Sequence, residues 1–282
     1  MGMMIRPGQR LIIPGAQVYQ PRAAAGGSFS GVLDGISNVA AAYSLRKLRS
    51  AYSGYAVRVR RSSDSTEQDI GFDGSGNFDN SSFSSFVGAG TGYVRTWYDQ
   101  SGNSADVTQT NTIYQPQIAL SAINGKPTIL SQSSNSGGFQ TAFVQPIGLW
   151  LSVANNNGSP NFADFNGLAS LEIGGGTQII HAGQSGTTTL YSAQSAVDTH
   201  YSNGIISSEY APLSSYKISS ATNASPATPT NLYVIRWRNN NTRYWNGNCA
   251  EQIFLSQNSI TSHNTIGNDM ATYYGLSWTT VT

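Results

Sequence analysis

The chain has 282 residues, of which only 10% are charged, and it is rich in Gly, Ser, Asn and Thr. This composition is typical of many short strands joined by polar turns, and it excludes a mainly helical protein. The apolar content of 39% also argues against disorder. A single cysteine, Cys249, excludes an internal disulfide and favours folding in a reducing compartment. No signal peptide is expected, and no apolar run approaches membrane-spanning length.

The charge is distributed unevenly along the chain. Residues 1–62 hold nine Lys or Arg and one acid, a net charge of +8, whereas residues 63–282 hold six Lys or Arg and thirteen acids, a net charge of −7. The basic part is therefore expected to meet an acidic surface, which could be another protein, a second copy of the chain or nucleic acid. Nucleic acid is disfavoured because there is no long run of Lys and Arg.

Residues 1–30 are predicted to form an extended arm and linker, because Pro7, Pro14 and Pro21 break any helix. An apolar segment in this arm could add a strand to the sheet edge of a neighbour, and a frayed terminus is the alternative. Residues 31–282 are predicted to form one domain. The candidate anchoring residues of the arm are Arg6, Arg10, Leu11, Ile12 and Ile13.

The next segment, residues 36–53, is predicted to be a helix that ends at Gly54, since its apolar residues recur at three- and four-residue spacing. Strands are predicted from there onwards. In residues 56–61, Val57 and Val59 alternate with arginines, and residues 93–98 form another strand.

Short strands with polar turns continue to the C-terminal region. Thr261 is predicted to cap a final helix over residues 262–274, with Ile266, Met270 and Tyr273 on one face. The other predicted strands are 127–131, 149–153, 168–173, 177–181, 187–192, 204–208, 231–238, 243–247 and 250–256.

Three sequence blocks carry a family resemblance: residues 43–48 (Tyr-Ser-Leu-Arg-Lys-Leu), 60–64 (Arg-Arg-Ser-Ser-Asp) and 97–103 (Trp-Tyr-Asp-Gln-Ser-Gly-Asn). Together they resemble the catalytic domain of alpha-L-arabinofuranosidase B, and also bacteriophage tail, fibre and capsid-associated proteins that reuse this domain. The resemblance covers residues 38 to about 116. It implies an all-β fold, a concanavalin-A-like jelly-roll sandwich. With the predicted elements, we expect one N-terminal and one C-terminal helix.

The third block is interpreted as a corner that determines the fold. Its short polar side chains can bond backbone amides, and its glycine can supply a positive φ. A calcium site there has too few carboxylates nearby. Asp64 and Asp69 are interpreted as turn acceptors or arginine partners. The corner residues are Asp99, Ser101, Gly102 and Asn103.

Retaining glycoside hydrolysis needs two carboxyl groups about 5 Å apart. The resemblance implies an acid/base aspartate in a Gly-Asp-Asn loop between two late strands. Here the late hairpin, residues 232–247, holds arginines and asparagines and no carboxylate. The Asp-Met-Glu-Asn-Asn surroundings of the family's nucleophile and its adjacent cysteine pair also have no counterpart. Arabinofuranoside hydrolysis is therefore not expected, and no catalytic residue is assigned. A hydrolase would have to recruit Glu172 with Asp198 or Glu209.

Sugar binding without hydrolysis stays open, because aromatic rings stack on sugar faces while polar side chains bond the hydroxyls. Burial in the sandwich is the alternative for these rings. No cofactor or metal is expected, since the three histidines are far apart in sequence. The rings nominated for carbohydrate binding are Trp245, Trp237, Tyr244 and Tyr201.

The leading hypothesis from these observations is a structural bacteriophage virion protein, made in the host cytoplasm. Its arm would anchor it to other virion proteins, and its lectin-like sandwich would serve decoration or binding of a host surface glycan. We expect a homo-oligomer, with a trimer as the guess from that setting. A polysaccharide-degrading glycoside hydrolase (a depolymerase) and a non-binding structural cement protein are the alternatives. No membrane partner is expected.

Overall fold

The computed structural model describes residues 29–132, 137–174, 176–192, 199–238 and 243–282. The predicted arm falls almost entirely on residues 1–28, so Arg6, Arg10 and the apolar segment after them lie outside the described residues. The described part contains α1 (Asn80–Val87), α2 (Ile260–Tyr274), a 3-10 turn (Thr112–Tyr114) and seventeen strands. The strands are β1 (Val39–Ser44), β2 (Val57–Arg61), β3 (Glu67–Ile70), β4 (Gly92–Trp97), β5 (Val107–Thr108), β6 (Gln117–Ile123), β7 (Lys126–Ser131), β8 (Phe139–Ala142), β9 (Leu149–Ala154), β10 (Asn166–Ile173), β11 (Gly176–Gly183), β12 (Leu190–Tyr191), β13 (Thr199–Ser202), β14 (Ile205–Ile206), β15 (Lys217–Thr222), β16 (Asn231–Val234) and β17 (Gly247–Leu255).

The strands form a two-layer antiparallel sandwich. One layer has the order β14-β13-β15-β9-β17-β1. The other has the order β3-β2-β4-β5-β8-β16-β10-β11-β12. Strands β6 and β7 link the layers, since β6 pairs with β4 and β7 pairs with the start of β17. The predicted all-β sandwich is confirmed at this level of description, and the described part holds two helices.

Burial on both faces of the first layer explains its apolar strands. In β9, Leu149, Leu151 and Val153 belong to the apolar cluster that includes residues of α2, whereas Trp150 belongs to the cluster between the two layers. All six residues of β9 are buried. A helix on one side and a sheet on the other therefore give β9 a continuous apolar sequence instead of an alternating one.

The predicted helix over residues 36–53 is wrong, because its first half is strand β1. All six residues of β1 are buried, and the strand pairs with the second half of β17. A strand buried on both faces carries apolar residues at successive positions, so it also satisfies the three- and four-residue spacing of a helix. Leu45 and Leu48 are buried in the irregular segment that follows.

The chain contains a different early helix, α1, which sequence reasoning missed. Asp79 caps it by accepting a hydrogen bond from the Ser82 amide, and Phe83, Phe86 and Val87 form its buried face. The predicted C-terminal helix is confirmed as α2. It begins earlier than expected, with Ser259 as its cap, and ends at Gly275 in the left-handed conformation.

The late predicted strands are only partly correct. β16 ends at Val234 instead of continuing to residue 238, and Ile235 and Arg238 have φ values of +51° and +46°. Such backbone conformations interrupt an extended strand. The predicted strand at residues 243–247 is wrong, because Tyr244 forms only isolated bridges there. Strands β3, β5, β6, β8, β13 and β15 were not predicted.

Candidate functional site

The structure places the nominated Trp245 in the core. The ring is completely buried between Phe162 and Tyr210, with ring centroids 5.7 and 5.5 Å away. Its Nε1 donates to the Asn155 carbonyl at 2.6 Å. A ring covered on both faces is a packing element, so Trp245 offers no face to a ligand in this structure.

The other nominated rings do not share a surface. Trp237 is buried against Phe165, with centroids 4.8 Å apart. Tyr244 is half-buried beside the same segment, whereas Tyr201 lies on β13 with its ring 5.0 Å from that of His263 of α2. Trp237, Tyr244 and Trp245 thus lie in one late segment, in which both tryptophans are buried, whereas Tyr201 lies apart on β13.

The carboxylates considered for a recruited hydrolase site are also dispersed. Glu172 accepts hydrogen bonds from Asn231 and Tyr233, while Asp198 lies outside the described residues. Glu209 forms an isolated β-bridge with Thr189. The residue after Thr189 is Leu190, which pairs with Gly183 at the end of β11. Glu172 pairs with Thr177 at the start of β11, six residues away. At 3.3 Å per residue this separates Glu172 from Glu209 by roughly 20 Å, too far for a two-carboxylate mechanism.

The predicted corner residues bind the loop after β4 to strand β1. Asp99 accepts from the amides of Ala42 (2.8 Å) and Ser101 (2.9 Å). Asn103 donates through Nδ2 to the Val39 and Ala40 carbonyls. Gly102 has a φ of +95°, which requires a residue without Cβ or a strained one. The hydrogen bonds of Asp99 and Asn103 to β1 all go to backbone groups.

Beside this corner, a surface pocket of about 380 Å³ combines tyrosines with carboxyl groups. The exposed Tyr55 ring stands 6.5 Å from that of Tyr98, and Tyr52 donates its hydroxyl to the Tyr55 carbonyl at 2.8 Å. The lining residues are Tyr52, Gly54, Tyr55, Asp69, Tyr98, Asp99, Gly102, Ser104 and Asp106.

Asp69 enters the pocket from β3 with its carboxylate oriented by two donors. Tyr98 donates its hydroxyl to Oδ1 at 2.7 Å, and Arg58 of β2 forms an ion pair with Oδ2 at 3.0 Å. Burial and this bond to Asp69 raise the pKa of Tyr98 to about 12, so that the phenol remains a donor at neutral pH. The prediction that Asp69 is an arginine partner is confirmed. Asp64 likewise pairs with Arg61.

Asp106, in the loop before β5, differs electrostatically from Asp69. Partial burial raises the pKa of its carboxyl above the usual value. The Asp99 amide, which donates to Asp106 Oδ1 at 2.9 Å, acts in the opposite direction, while the Asp99 carboxylate raises the pKa further. Asp106 thus holds a proton to higher pH than an ordinary aspartate, whereas Asp69 has a cationic partner.

Sequence reasoning missed Asp106 and the tyrosines because they come from separate segments. Tyr98 lies in the block of residues 97–103, next to Asp99, and this position is the one sequence feature that points to it. The approach of β3 to the corner, by contrast, follows from tertiary pairing of β2 with β3 and β4.

The described residues contain no group of three or more His, Cys, Asp or Glu side chains arranged to hold a metal ion. His181 and His200 do meet, with their Nδ1 atoms 3.1 Å apart, but their surroundings supply no third ligand of these types. No helix in that part of the chain is long and apolar enough to cross a membrane.

Comparison with known proteins identifies the segment that holds this pocket. Residues 33–133 match the family model described as alpha-L-arabinofuranosidase B, catalytic. The match covers just over a third of the chain, and all the pocket residues lie within it. A comparison with curated proteins found no match.

Solved structures extend the likeness to most of the chain. The chain is similar to a GH54 α-L-arabinofuranosidase soaked with a cyclic sulfate inhibitor, with a TM-score of 0.50 and 15% identity over 84% of its length. The same values hold for a Glu-to-Gln mutant of a GH54 α-L-arabinofuranosidase soaked with 4-nitrophenyl α-L-arabinofuranoside. The chain spans 63% of the length of each, less than two thirds. At this identity the likeness shows the fold.

The hypothesis of a structural bacteriophage virion protein is wrong, because the family model and the solved structures that match are those of a glycoside hydrolase. The blocks that suggested it hold the sandwich together, as the contacts of Asp99 and Asn103 with β1 show. Such blocks indicate the fold and carry no information about the setting in which the fold works. The matches favour the alternative of a polysaccharide-degrading hydrolase.

Proposed function

We propose that this protein is a glycoside hydrolase that acts on a polysaccharide at the pocket between β3 and the corner after β4. The observation that carries the proposal is the presence of two carboxyl groups with unlike surroundings in the lining of one tyrosine-rich pocket. Asp106 has a raised pKa, and Asp69 is paired with Arg58. Pairs of carboxyl groups with contrasting surroundings are the usual basis for dividing acid and base roles.

Asp106 is the general acid in this proposal. A carboxyl that keeps its proton to higher pH can protonate the leaving oxygen of a glycosidic bond. Asp69 is the partner carboxylate, since its two donors leave it an acceptor that can orient a water molecule or stabilise positive charge on the sugar ring. Tyr98 positions Asp69 through its hydroxyl.

Tyr55 supplies the sugar-binding surface. Its ring is 52% exposed and forms a tilted pair with the Tyr98 ring at the pocket. An exposed aromatic face beside hydrogen-bonding groups is the combination that sugars require. We also propose that the sandwich, residues 31–282, is one domain of the concanavalin-A-like jelly-roll type.

The test is hydrolysis of a panel of polysaccharides and 4-nitrophenyl glycosides, beginning with α-L-arabinofuranosides, by the purified full chain. Asp106→Asn and Asp69→Asn should each lower kcat at least about a hundredfold, the usual size of an acid–base contribution. Asp164→Asn is the matched control, because this exposed aspartate accepts only from the neighbouring Phe165 amide among its described contacts. Full activity in both pocket variants, with wild-type hydrolysis present, would move the reaction to another site.

A further inference from the structure

Arg60 differs from the other arginines on its sheet face. In the described part of the chain, Arg58 pairs with Glu67 and Asp69, and Arg95 pairs with Glu67, but no acid pairs with Arg60. The residues outside that part include a single acid, Asp198. A guanidinium held in place without an acidic partner is a free positive charge at the surface.

Neutral groups hold the Arg60 side chain in place. Its Nε donates to Gln115 Oε1 at 2.7 Å, and its guanidinium lies over the Tyr93 ring, 4.8 Å from the centroid. Gln115 is itself fixed, since its Nε2 donates to the Gln109 carbonyl at 3.0 Å. Nη2 makes only a 3.4 Å contact with the Thr112 carbonyl. The guanidinium is thus oriented by its Nε edge, and Arg60 lines a surface pocket of about 520 Å³.

This second pocket is lined by hydrogen-bonding and apolar groups without any acid: Arg60, Ser62, Tyr93, Thr112 and Ile113. A pre-oriented guanidinium matches the geometry of a carboxylate or sulfate. Glu67, the cross-strand neighbour of Arg60, already forms ion pairs with Arg58 and Arg95. The chemistry therefore fits an anionic group carried on a larger molecule, with the Ile113 side chain available for apolar contact.

The position of Arg60 connects it with the Asp69–Asp106 pocket. In the strand register Arg60 lies opposite Glu67 of β3 and Tyr93 of β4, without an ion pair to Glu67, whereas Asp69 lies opposite Arg58, two residues earlier on β2. Diagonal neighbours of this kind are about 7–8 Å apart at the backbone. The two sites lie on the same outward face, and a polysaccharide laid across it reaches both.

We propose that Arg60 is an anion-binding subsite for a carboxylate or sulfate group of the polysaccharide. The identification of the ligand as a polysaccharide rests on the proposed function, whereas the anion site itself stands on its own geometry. The pocket with Asp69 and Asp106 is acidic, so it takes a neutral sugar, and the anionic sugar binds at Arg60. The substrate class is thus a heteropolysaccharide in which neutral and anionic units occur together.

The test is calorimetric binding to the full chain of a hexamer that alternates neutral sugars with galacturonate, its methyl ester, and a singly sulfated and an unsulfated glucan hexamer. The wild type should bind an anionic hexamer about tenfold or more tightly than its neutral counterpart, as expected for a charge-assisted contact. Preference for the galacturonate identifies a carboxylate ligand, and preference for the sulfated glucan identifies a sulfate ligand.

Arg60→Gln should abolish the preference, while Arg60→Lys should retain part of it, because lysine keeps the charge and loses the planar fork. Arg95→Gln is the matched control: it removes one positive charge from the same face, but from an arginine that already has an acidic partner. A thermal unfolding measurement on each variant serves as the control that it is folded.

Equal binding of charged and neutral hexamers, or equal weakening by Arg60→Gln and Arg95→Gln, would overturn the anion site. Anion binding that depends on Arg60 in a protein without hydrolase activity supports the site and refutes the proposed function instead. Hydrolysis by a protein whose binding of anions does not depend on Arg60 supports the proposed function and refutes the anion site.

Discussion

A buried ion pair between Arg46, just after β1, and Glu251 of β17 provides the sharpest test of the fold. The Glu251 side chain is completely buried and accepts from Arg46 Nε (2.7 Å) and Nη2 (2.9 Å), Ser44 Oγ (2.9 Å) and the Tyr274 hydroxyl (3.0 Å). Arg46 also pairs with Asp269 of α2, which is 34% exposed. The cluster thereby joins an early strand, a late strand and the C-terminal helix.

We expect Glu251→Gln to destabilise the protein by about 3 kcal/mol. Removing one partner of a buried pair costs about 3–5 kcal/mol, because the remaining charge stays buried without compensation. The lower end applies here, since Asp269 still neutralises part of the Arg46 charge. A loss of this size is a large fraction of the 5–15 kcal/mol that typically stabilises a domain.

The assay is urea unfolding followed by tryptophan fluorescence, comparing midpoints at equal slope. Asp64→Asn is the control, because it breaks an exposed pair with Arg61, for which we expect no measurable change. If Glu251→Gln costs less than about 1 kcal/mol, or no more than the control, the cluster does not hold the three elements together as described.

Three further predictions concern titrating groups. Because burial raises the pKa of Asp106, folding stability falls as pH rises through that pKa. Asp106→Asn should therefore be at least as stable as wild type in thermal unfolding at neutral pH, and a large drop in melting temperature would contradict this. Burial lowers the pKa of His200 from 6.5 to about 4, so folding stability should be lost as pH falls across this interval. His200→Gln should reduce that loss in acid titrations, and an unchanged stability profile would refute this prediction. Burial raises the pKa of the Cys249 thiol to about 11, so a thiol reagent should label it only after denaturation, and rapid labelling of the native protein would be inconsistent with its burial.

The amino-acid pattern predicts the sandwich because alternation and turn residues are local properties. Strands β2 and β4 follow their predicted boundaries closely, with outward arginines and inward valines. The pattern fails for β1, since a strand covered on both faces has no alternation to recognise. It also fails for the late hairpin, where Ile235 and Arg238 adopt positive φ values that their residue types do not predict.

The candidate site was less predictable than the fold. The corner aspartate and Tyr98 stand in a quoted sequence block, but their neighbours Asp69 and Asp106 are recognisable only when β3 and the loop before β5 have been placed. The burial of Trp245 likewise depends on Phe162 and Tyr210, which come from distant segments. Long-range pairing decides which polar residues meet.

The most direct test of the proposed function is hydrolysis of polysaccharides and 4-nitrophenyl glycosides by the wild type and Asp106→Asn, measured side by side across pH. The account predicts activity in the wild type that declines as Asp106 loses its proton, and its loss in a variant that remains folded. Undiminished activity in Asp106→Asn, or no hydrolysis by the wild type of any substrate in the panel, would contradict it.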